Sequence, residues 1–107
     1  MNMLKKLTLA GAAALLTTLV CAGETIDQFT SLDTSEGYFW GDDMVYYYTN
    51  FTIIQDYESD ERLSLKSLSP GDWLVISYQS DNIGRMTAKQ ILIVPDEETA
   101  RSVKRAM

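Results

Sequence analysis

Residues 69–79, Ser-Pro-Gly-Asp-Trp-Leu-Val-Ile-Ser-Tyr-Gln, contain the clearest turn and the clearest strand signal in the chain. Pro70 presets φ for the second position of a type II turn, and Gly71 accepts the positive φ that the third position requires. From Trp73 to Gln79 the side chains then alternate with a period of two, which is typical of a β-strand. The segment therefore predicts a tight turn that leads directly into a strand over residues 73–79.

Similar signals occur on both sides of this segment. Clusters of β-branched and aromatic residues predict four further strands, at residues 25–32, 38–40, 44–54 and 86–94. Gly41-Asp42-Asp43 separates two aromatic runs and favours a hairpin. Pro95 ends the last strand, and Asp96 is a suitable N-cap for a short C-terminal helix. Five short strands in so small a chain predict a mainly β fold, a five-stranded barrel of the OB or SH3-like type followed by that helix.

The N-terminal segment, residues 1–22, has the composition of a secretory signal peptide. Lys5 and Lys6 precede an apolar core of 14 residues, Leu7–Val20. A membrane-spanning helix needs roughly 20 apolar residues, so this core favours a cleaved signal over a permanent anchor. The small residues around the Ala22–Gly23 bond provide the expected cleavage site. The mature chain is therefore expected to be periplasmic or secreted, with no membrane span.

Cys21 leaves an alternative location open. A cysteine at the end of a signal peptide resembles the lipobox of bacterial lipoproteins, in which it becomes the lipidated first residue. That resemblance implies an outer-membrane lipoprotein instead of a free periplasmic or secreted protein. In either case the sequence predicts three segments: a signal peptide at 1–22, a small β-barrel domain at 23–94 and a C-terminal helix at 95–107.

The composition of residues 23–107 limits the possible functions. These 85 residues contain no cysteine and no histidine, so one domain must be stabilised by packing alone. They hold 7 basic and 15 acidic residues, a net charge of −8. Nucleic acids are unexpected partners, because phosphate binding requires clustered Lys and Arg. An enzyme is also unexpected, because the commonest general base and the thiol nucleophile are absent.

Aromatic residues are unusually dense between positions 38 and 48, where the chain has six of them. A small core cannot bury them all, and exposed aromatic side chains mark binding surfaces. Packing against the C-terminal helix is the alternative. Strand alternation places Tyr46 and Tyr48 on one face and Tyr47 on the other. The expected partner is an envelope protein or a small envelope ligand, and the candidate binding residues are Trp40, Tyr46, Tyr47, Tyr48 and Trp73.

Two segments carry a resemblance to known proteins. Ser67–Tyr78 contains a leucine, a Pro-Gly-Asp turn and an alternating strand, and Met86–Val94 contains an Ala-x-x-Ile strand. This order resembles small exported bacterial β-barrel proteins of unknown function. The earlier segments Ser31–Asp33 and 37–54 are similar to the first strands of those proteins. The resemblance implies a barrel architecture and implies little about function.

These barrels are similar in architecture to the periplasmic copper chaperones of copper and silver efflux systems. Those chaperones bind Cu(I) through methionines, a histidine and a nearby tryptophan. The resemblance implies Met44, Met86 and Trp40 as metal ligands here, and thioethers do suit Cu(I). The histidine and the paired methionines of the chaperones are absent from this chain. The simpler interpretation is that both methionines fill gaps in the core.

A second metal hypothesis concerns Asp56–Glu61, where four carboxylates lie within six residues. An EF-hand requires Gly at position 6 and Glu at position 12, and counting from Asp56 these positions hold Glu61 and Ser67. The segment therefore predicts a solvated acidic loop, with weak Ca²⁺ binding as the alternative. No cofactor is expected.

Overall fold

The computed structural model describes residues 21–107, so the predicted signal peptide lies almost entirely outside the described residues. Within them, strands precede a single C-terminal helix: β1 (Cys21–Asp33), β2 (Tyr38–Gly41), β3 (Val45–Tyr47), β4 (Ile53–Asp56), β5 (Arg62–Leu63), β6 (Trp73–Ser80), β7 (Met86–Val94) and α1 (Glu97–Ala106). A short 3-10 turn, Leu65–Ser67, lies between β5 and β6. In this part of the chain no helix is long and apolar enough to cross a membrane. The predictions of a mainly β fold and of a short C-terminal helix are confirmed.

The seven strands of residues 21–107 belong to one sheet, in the order β3-β2-β1-β6-β7-β4-β5. The first three strands form an antiparallel meander, and β6 pairs antiparallel with both β1 and β7. Strand β7 also pairs in parallel with β4, and at Tyr47 and Thr87 it pairs in parallel with β3. One strand near the C-terminus therefore has three neighbours in the sheet.

The sequence predicted five strands, and the structure differs because the expected strand at 44–54 is divided into β3 and β4. A turn separates them, in which the backbone N–H of Thr52 donates to the Thr49 carbonyl at 3.1 Å. The Thr52 hydroxyl donates to the Ala88 carbonyl of β7 at 2.7 Å. This bond directs the chain away from β2 and onto β7. Asp56, the first residue of the predicted acidic loop, ends β4, and the two-residue strand β5 begins directly after Glu61 and pairs with β4.

The predicted turn before β6 is confirmed. Gly71 has a φ of 95°, and the N–H of Asp72 donates to the Ser69 carbonyl at 3.0 Å. The turn is also tied to β1, because the N–H of Gly71 donates to the Phe29 carbonyl and the N–H of Phe29 donates to the Asp72 carbonyl, both at 2.9 Å. The Asp96 N-cap is confirmed as well, since its carboxylate accepts the Thr99 N–H at 2.8 Å.

Side chains on the two faces of β6 belong to two separate clusters of the core. Leu74 and Ile76 face the larger cluster, which also contains Phe29, Phe39, Tyr46, Ile54, Leu68, Ala88 and Ile91. Val75 faces the smaller cluster beneath α1, with Val94, Ala100 and Val103. None of the aromatic residues between positions 38 and 48 belongs to the cluster beneath α1. The helix therefore packs on a different part of the sheet from the aromatic segment.

Candidate functional site

The outward face of the β2–β3 hairpin and the loop between β6 and β7 form a groove of about 550 Å³, called here the aromatic groove. The hairpin provides one wall, and the loop and the start of β7 provide the other. Nine residues line it: Tyr38, Trp40, Met44, Val45, Tyr47, Ile83, Gly84, Arg85 and Met86. The lining is therefore mostly aromatic and aliphatic, with two thioethers and one guanidinium group.

Strand alternation places the aromatic rings in the groove. Tyr38 and Tyr47 are direct cross-strand partners, and Trp40 pairs with Val45 on the same face. The Tyr38 ring centroid lies 5.5 Å from that of Tyr47 and 6.0 Å from that of Trp40, and both contacts are edge-to-face. This geometry is favourable for aromatic pairs and leaves ring surface accessible. Trp40 remains 47% exposed.

The loop that forms the second wall is organised by Asp81. Its Oδ1 atom accepts the backbone N–H of Arg85 at 2.9 Å and that of Ile83 at 3.1 Å. The bond from the Arg85 backbone holds the pKa of Asp81 below its ordinary value, so the carboxylate stays ionised. Its Oδ2 atom lies 3.5 Å from Nε of Arg85, whose guanidinium carbon is 5.2 Å from the Tyr47 ring centroid. Arg85 therefore joins the loop to the hairpin.

The turn of the hairpin is held from beneath by the buried carboxylate of Asp27. Its Oδ1 atom accepts the backbone N–H of Asp42 at 2.8 Å, and its Oδ2 atom accepts the Tyr46 hydroxyl at 2.7 Å. Burial, reinforced by this acidic partner, raises the pKa of Tyr46 well above that of an ordinary tyrosine. The carboxylate also lies against Gly41, where a Cβ atom would collide with it. Asp27 therefore fixes the hairpin turn that follows Trp40 in the chain.

The structure separates the predicted binding residues. Trp40 and Tyr47 both line the aromatic groove. Tyr46 is only 1% exposed and belongs to the core, and Tyr48 packs against the same cluster. Trp73 packs against the cluster beneath α1. The last three therefore lie away from the groove: strand parity turns Tyr46 and Tyr48 inward, and it turns Trp73 towards the helix.

Sequence reasoning missed five of the nine residues that line the groove, and three of these, Tyr38, Ile83 and Arg85, have large side chains that a ligand could contact. Tyr38 could have been predicted from the sequence, because it lies two residues before Trp40 in the same strand and therefore on the same face. Ile83 and Arg85 had no such signal, because they come from a loop that meets the hairpin only in the folded sheet. The supporting Asp27 had no local signal either, since its partner Tyr46 is 19 positions away.

The three residues of the copper hypothesis, Met44, Met86 and Trp40, line the same groove. Met44 is an exposed side chain, whereas Met86 packs partly against the core. In the acidic segment, the Asp56 carboxylate accepts the Ser59 N–H at 2.8 Å and closes a turn between β4 and β5. Across residues 21–107, no group of three or more Cys, His, Asp or Glu residues is placed to hold a metal ion.

Comparison with known proteins finds no matching family model, no matching curated protein and no matching solved structure. No residue role is therefore transferred to this chain from a relative. A fold by itself does not assign a function, so the geometry and chemistry of the aromatic groove are the basis for the functional proposal.

Proposed function

We propose that this protein is an exported, non-enzymatic binding module whose aromatic groove holds a segment of an envelope protein or a small envelope ligand. The observation that supports this most strongly is the grouping of Trp40, two tyrosines and Arg85 in one accessible groove. Trp, Tyr and Arg are the residues most enriched among those that dominate binding energy at interfaces. Ile83, at 71% exposure, adds apolar surface that gains free energy when a partner covers it.

We also propose that the sheet is a small barrel with OB-like strand order. In support, the pairings pass from β1 through β2 to β3, cross in parallel to β7, and return through β6 to β1. Strands β4 and β5 would then be an insertion before the fourth barrel strand. OB-folds bind their ligands across strands 2 and 3 and the adjoining loops. The aromatic groove occupies the corresponding strands β2 and β3 and the loop between β6 and β7.

Export is the third part of the proposal. Residues 1–22 are proposed to be removed between Ala22 and Gly23, which gives a periplasmic or secreted protein; lipidation at Cys21 would give an outer-membrane lipoprotein. The intact mass of the protein isolated from the cell envelope distinguishes the two. Loss of residues 1–22 supports cleavage, whereas a mass that retains Cys21 and added acyl chains supports the lipoprotein. A full-length chain in the cytoplasm would contradict export.

The binding proposal is tested by crosslinking in living cells, followed by purification of the tagged, processed protein and mass spectrometry. We expect one stoichiometric partner for the wild type and its loss in the Trp40→Ala/Tyr47→Ala variant. Tyr57→Ala is the matched control, because Tyr57 is as exposed as Trp40, at 47%, and lies outside the groove. Thermal unfolding must show that all variants fold. Capture that is unchanged in the double variant would contradict the proposal.

One observation favours Cu(I) as a second candidate ligand: Met44, Met86 and Trp40 converge on one groove. Two thioethers and an indole face are soft donors that suit Cu(I). In a Trp73→Phe background, anaerobic titration with Cu(I) is expected to quench Trp40 fluorescence. The Met44→Leu/Met86→Leu variant should not be quenched. Equal quenching of both proteins, or none of either, would exclude this candidate.

A further inference from the structure

The charge within the aromatic groove differs from that of the chain around it. The whole sequence has 15 acidic and 9 basic residues, yet no carboxylate is among the described residues that line the groove. Arg85 is the only charged residue among these nine. The groove is therefore an apolar surface with one cationic point on an otherwise acidic protein.

Arg85 is held in place without being buried. Its guanidinium carbon lies 5.2 Å from the Tyr47 ring centroid, and Asp81 approaches its inner nitrogen, Nε, at 3.5 Å. The Arg85 side chain is nevertheless 47% exposed. A guanidinium that is already oriented by a ring and a carboxylate loses little entropy when it binds a second carboxylate. Paired N–H donors give such contacts a defined geometry.

The surroundings of the groove disfavour a polyanionic ligand. Exposed acidic side chains lie at both ends of the β2–β3 hairpin: Glu36 precedes β2, and Asp42 and Asp43 form the turn. A nucleic acid or an acidic polysaccharide would place repeated negative charges beside these carboxylates. A ligand with a single negative charge next to apolar groups avoids this repulsion.

From this charge pattern we infer that the aromatic groove selects a protein segment in which an apolar anchor side chain lies within a few residues of a carboxylate. The apolar anchor packs on Trp40 and the thioethers, and the carboxylate pairs with Arg85. Aromatic residues, Met and Arg are the types enriched at the centres of protein interfaces, which favours a peptide over a glycan. This inference rests on the proposed binding function and names the class of ligand.

Selection from a random peptide library displayed on phage tests the inference with the folded, processed protein. We expect the wild type to enrich peptides that carry Asp or Glu close to an apolar residue, and Arg85→Gln to lose that acidic preference. Arg101→Gln is the matched control. Like Arg85, Arg101 is exposed and forms an ion pair with an acidic residue four positions earlier, Glu97, but it lies on α1. Replacing the selected Asp by Asn should weaken binding to the wild type about tenfold and leave binding to Arg85→Gln unchanged.

The possible outcomes separate the inference from the proposed function. Enrichment of apolar peptides with no acidic preference, equal in wild type and Arg85→Gln, overturns the inference while the binding function stands. If the wild type enriches peptides no more strongly than the Trp40→Ala/Tyr47→Ala variant does, the inference is overturned. The same result counts against the binding function. Oligogalacturonate is the probe for an acidic glycan. If it changes Trp40 fluorescence in an Arg85-dependent manner while no peptide is enriched, the peptide assignment is wrong.

Discussion

The two faces of the β2–β3 hairpin both contain aromatic residues, but one face is buried in the core and the other lines the aromatic groove. On the inner face, Phe39 and Tyr46 stack with their ring centroids 5.2 Å apart and are almost completely buried. On the outer face, Tyr38, Trp40 and Tyr47 meet edge to face and line a groove. The difference teaches that aromatic density alone predicts neither stability nor binding. Strand parity divides one aromatic cluster into a part that packs in the core and a part that lines the aromatic groove.

Truncating the inner face should give the largest effect. Phe39→Ala is expected to reduce the free energy of unfolding by about 3–5 kcal/mol, because it leaves a cavity in the core. Trp40→Ala, one residue away on the outer face, should change it by about 1 kcal/mol or less. Urea unfolding followed by circular dichroism measures both. If the two substitutions destabilise the protein equally, the division into two faces is wrong.

The support beneath the hairpin should give the next largest effect. Asp27→Ala removes the carboxylate acceptor of the buried Tyr46 hydroxyl and one of the two acceptors of the Asp42 N–H, which also donates to the Gln28 carbonyl at 3.1 Å. The expected loss in stability is about 2–4 kcal/mol. Asp33 is the matched control, because its carboxylate accepts the N–H groups of Ser35 and Glu36 in an exposed turn. Asp33→Ala should lower stability by about 1 kcal/mol. A smaller loss for Asp27→Ala than for Asp33→Ala would show that burial of the carboxylate is unimportant.

The contribution of the loop between β6 and β7 to stability should depend on pH in the acid range. The folded structure lowers the pKa of Asp81 below 3.8, so its contribution to stability is present above that pH and is lost as the pH falls through the lowered value. We expect the urea midpoint of the wild type to fall as the pH is lowered from 5 to 2.5. Asp81→Asn should show a shallower fall. Parallel pH profiles of the two proteins would exclude a contribution of Asp81 ionisation to stability.

The smallest effect on stability is expected from Arg85, the groove residue proposed to select the ligand. Arg85→Gln removes an exposed ion pair and a cation–π contact, each worth about 0.5 kcal/mol or somewhat more. The unfolding free energy should therefore change by about 1 kcal/mol or less in urea denaturation. A loss of several kcal/mol would make Arg85 a structural residue of the hairpin.

Local sequence signals predicted the elements that local interactions form. Pro70 and Gly71 specified a turn by their own backbone preferences, and Asp96 specified a helix start by its capping side chain. Alternation correctly placed Tyr46 and Tyr47 on opposite faces. It could not show which face meets the core, because that depends on where β6 and β7 lie.

The rest of the candidate site depends on contacts between distant parts of the chain. Arg85 reaches Tyr47 only because β7 brings its loop to the hairpin, and no periodicity near either residue indicates this. Trp73 lies at the start of a correctly predicted strand, but its parity directs it beneath α1, which residue composition does not reveal. The break between β3 and β4 escaped prediction for the same reason, since Thr52 bonds to the distant Ala88 carbonyl.

Strand β7 has three neighbours in the sheet, and it is the last strand in the chain. During synthesis, β3, β4 and β6 must wait for residues 86–94 before their pairing is complete. Contacts between residues far apart in sequence form slowly, because a long loop must close before they form. The sheet is therefore expected to stay incomplete, and the growing chain unfolded, until residues 86–94 have been made. For a protein proposed to leave the cytoplasm, this delay maintains the unfolded form that can be threaded through a narrow secretion channel.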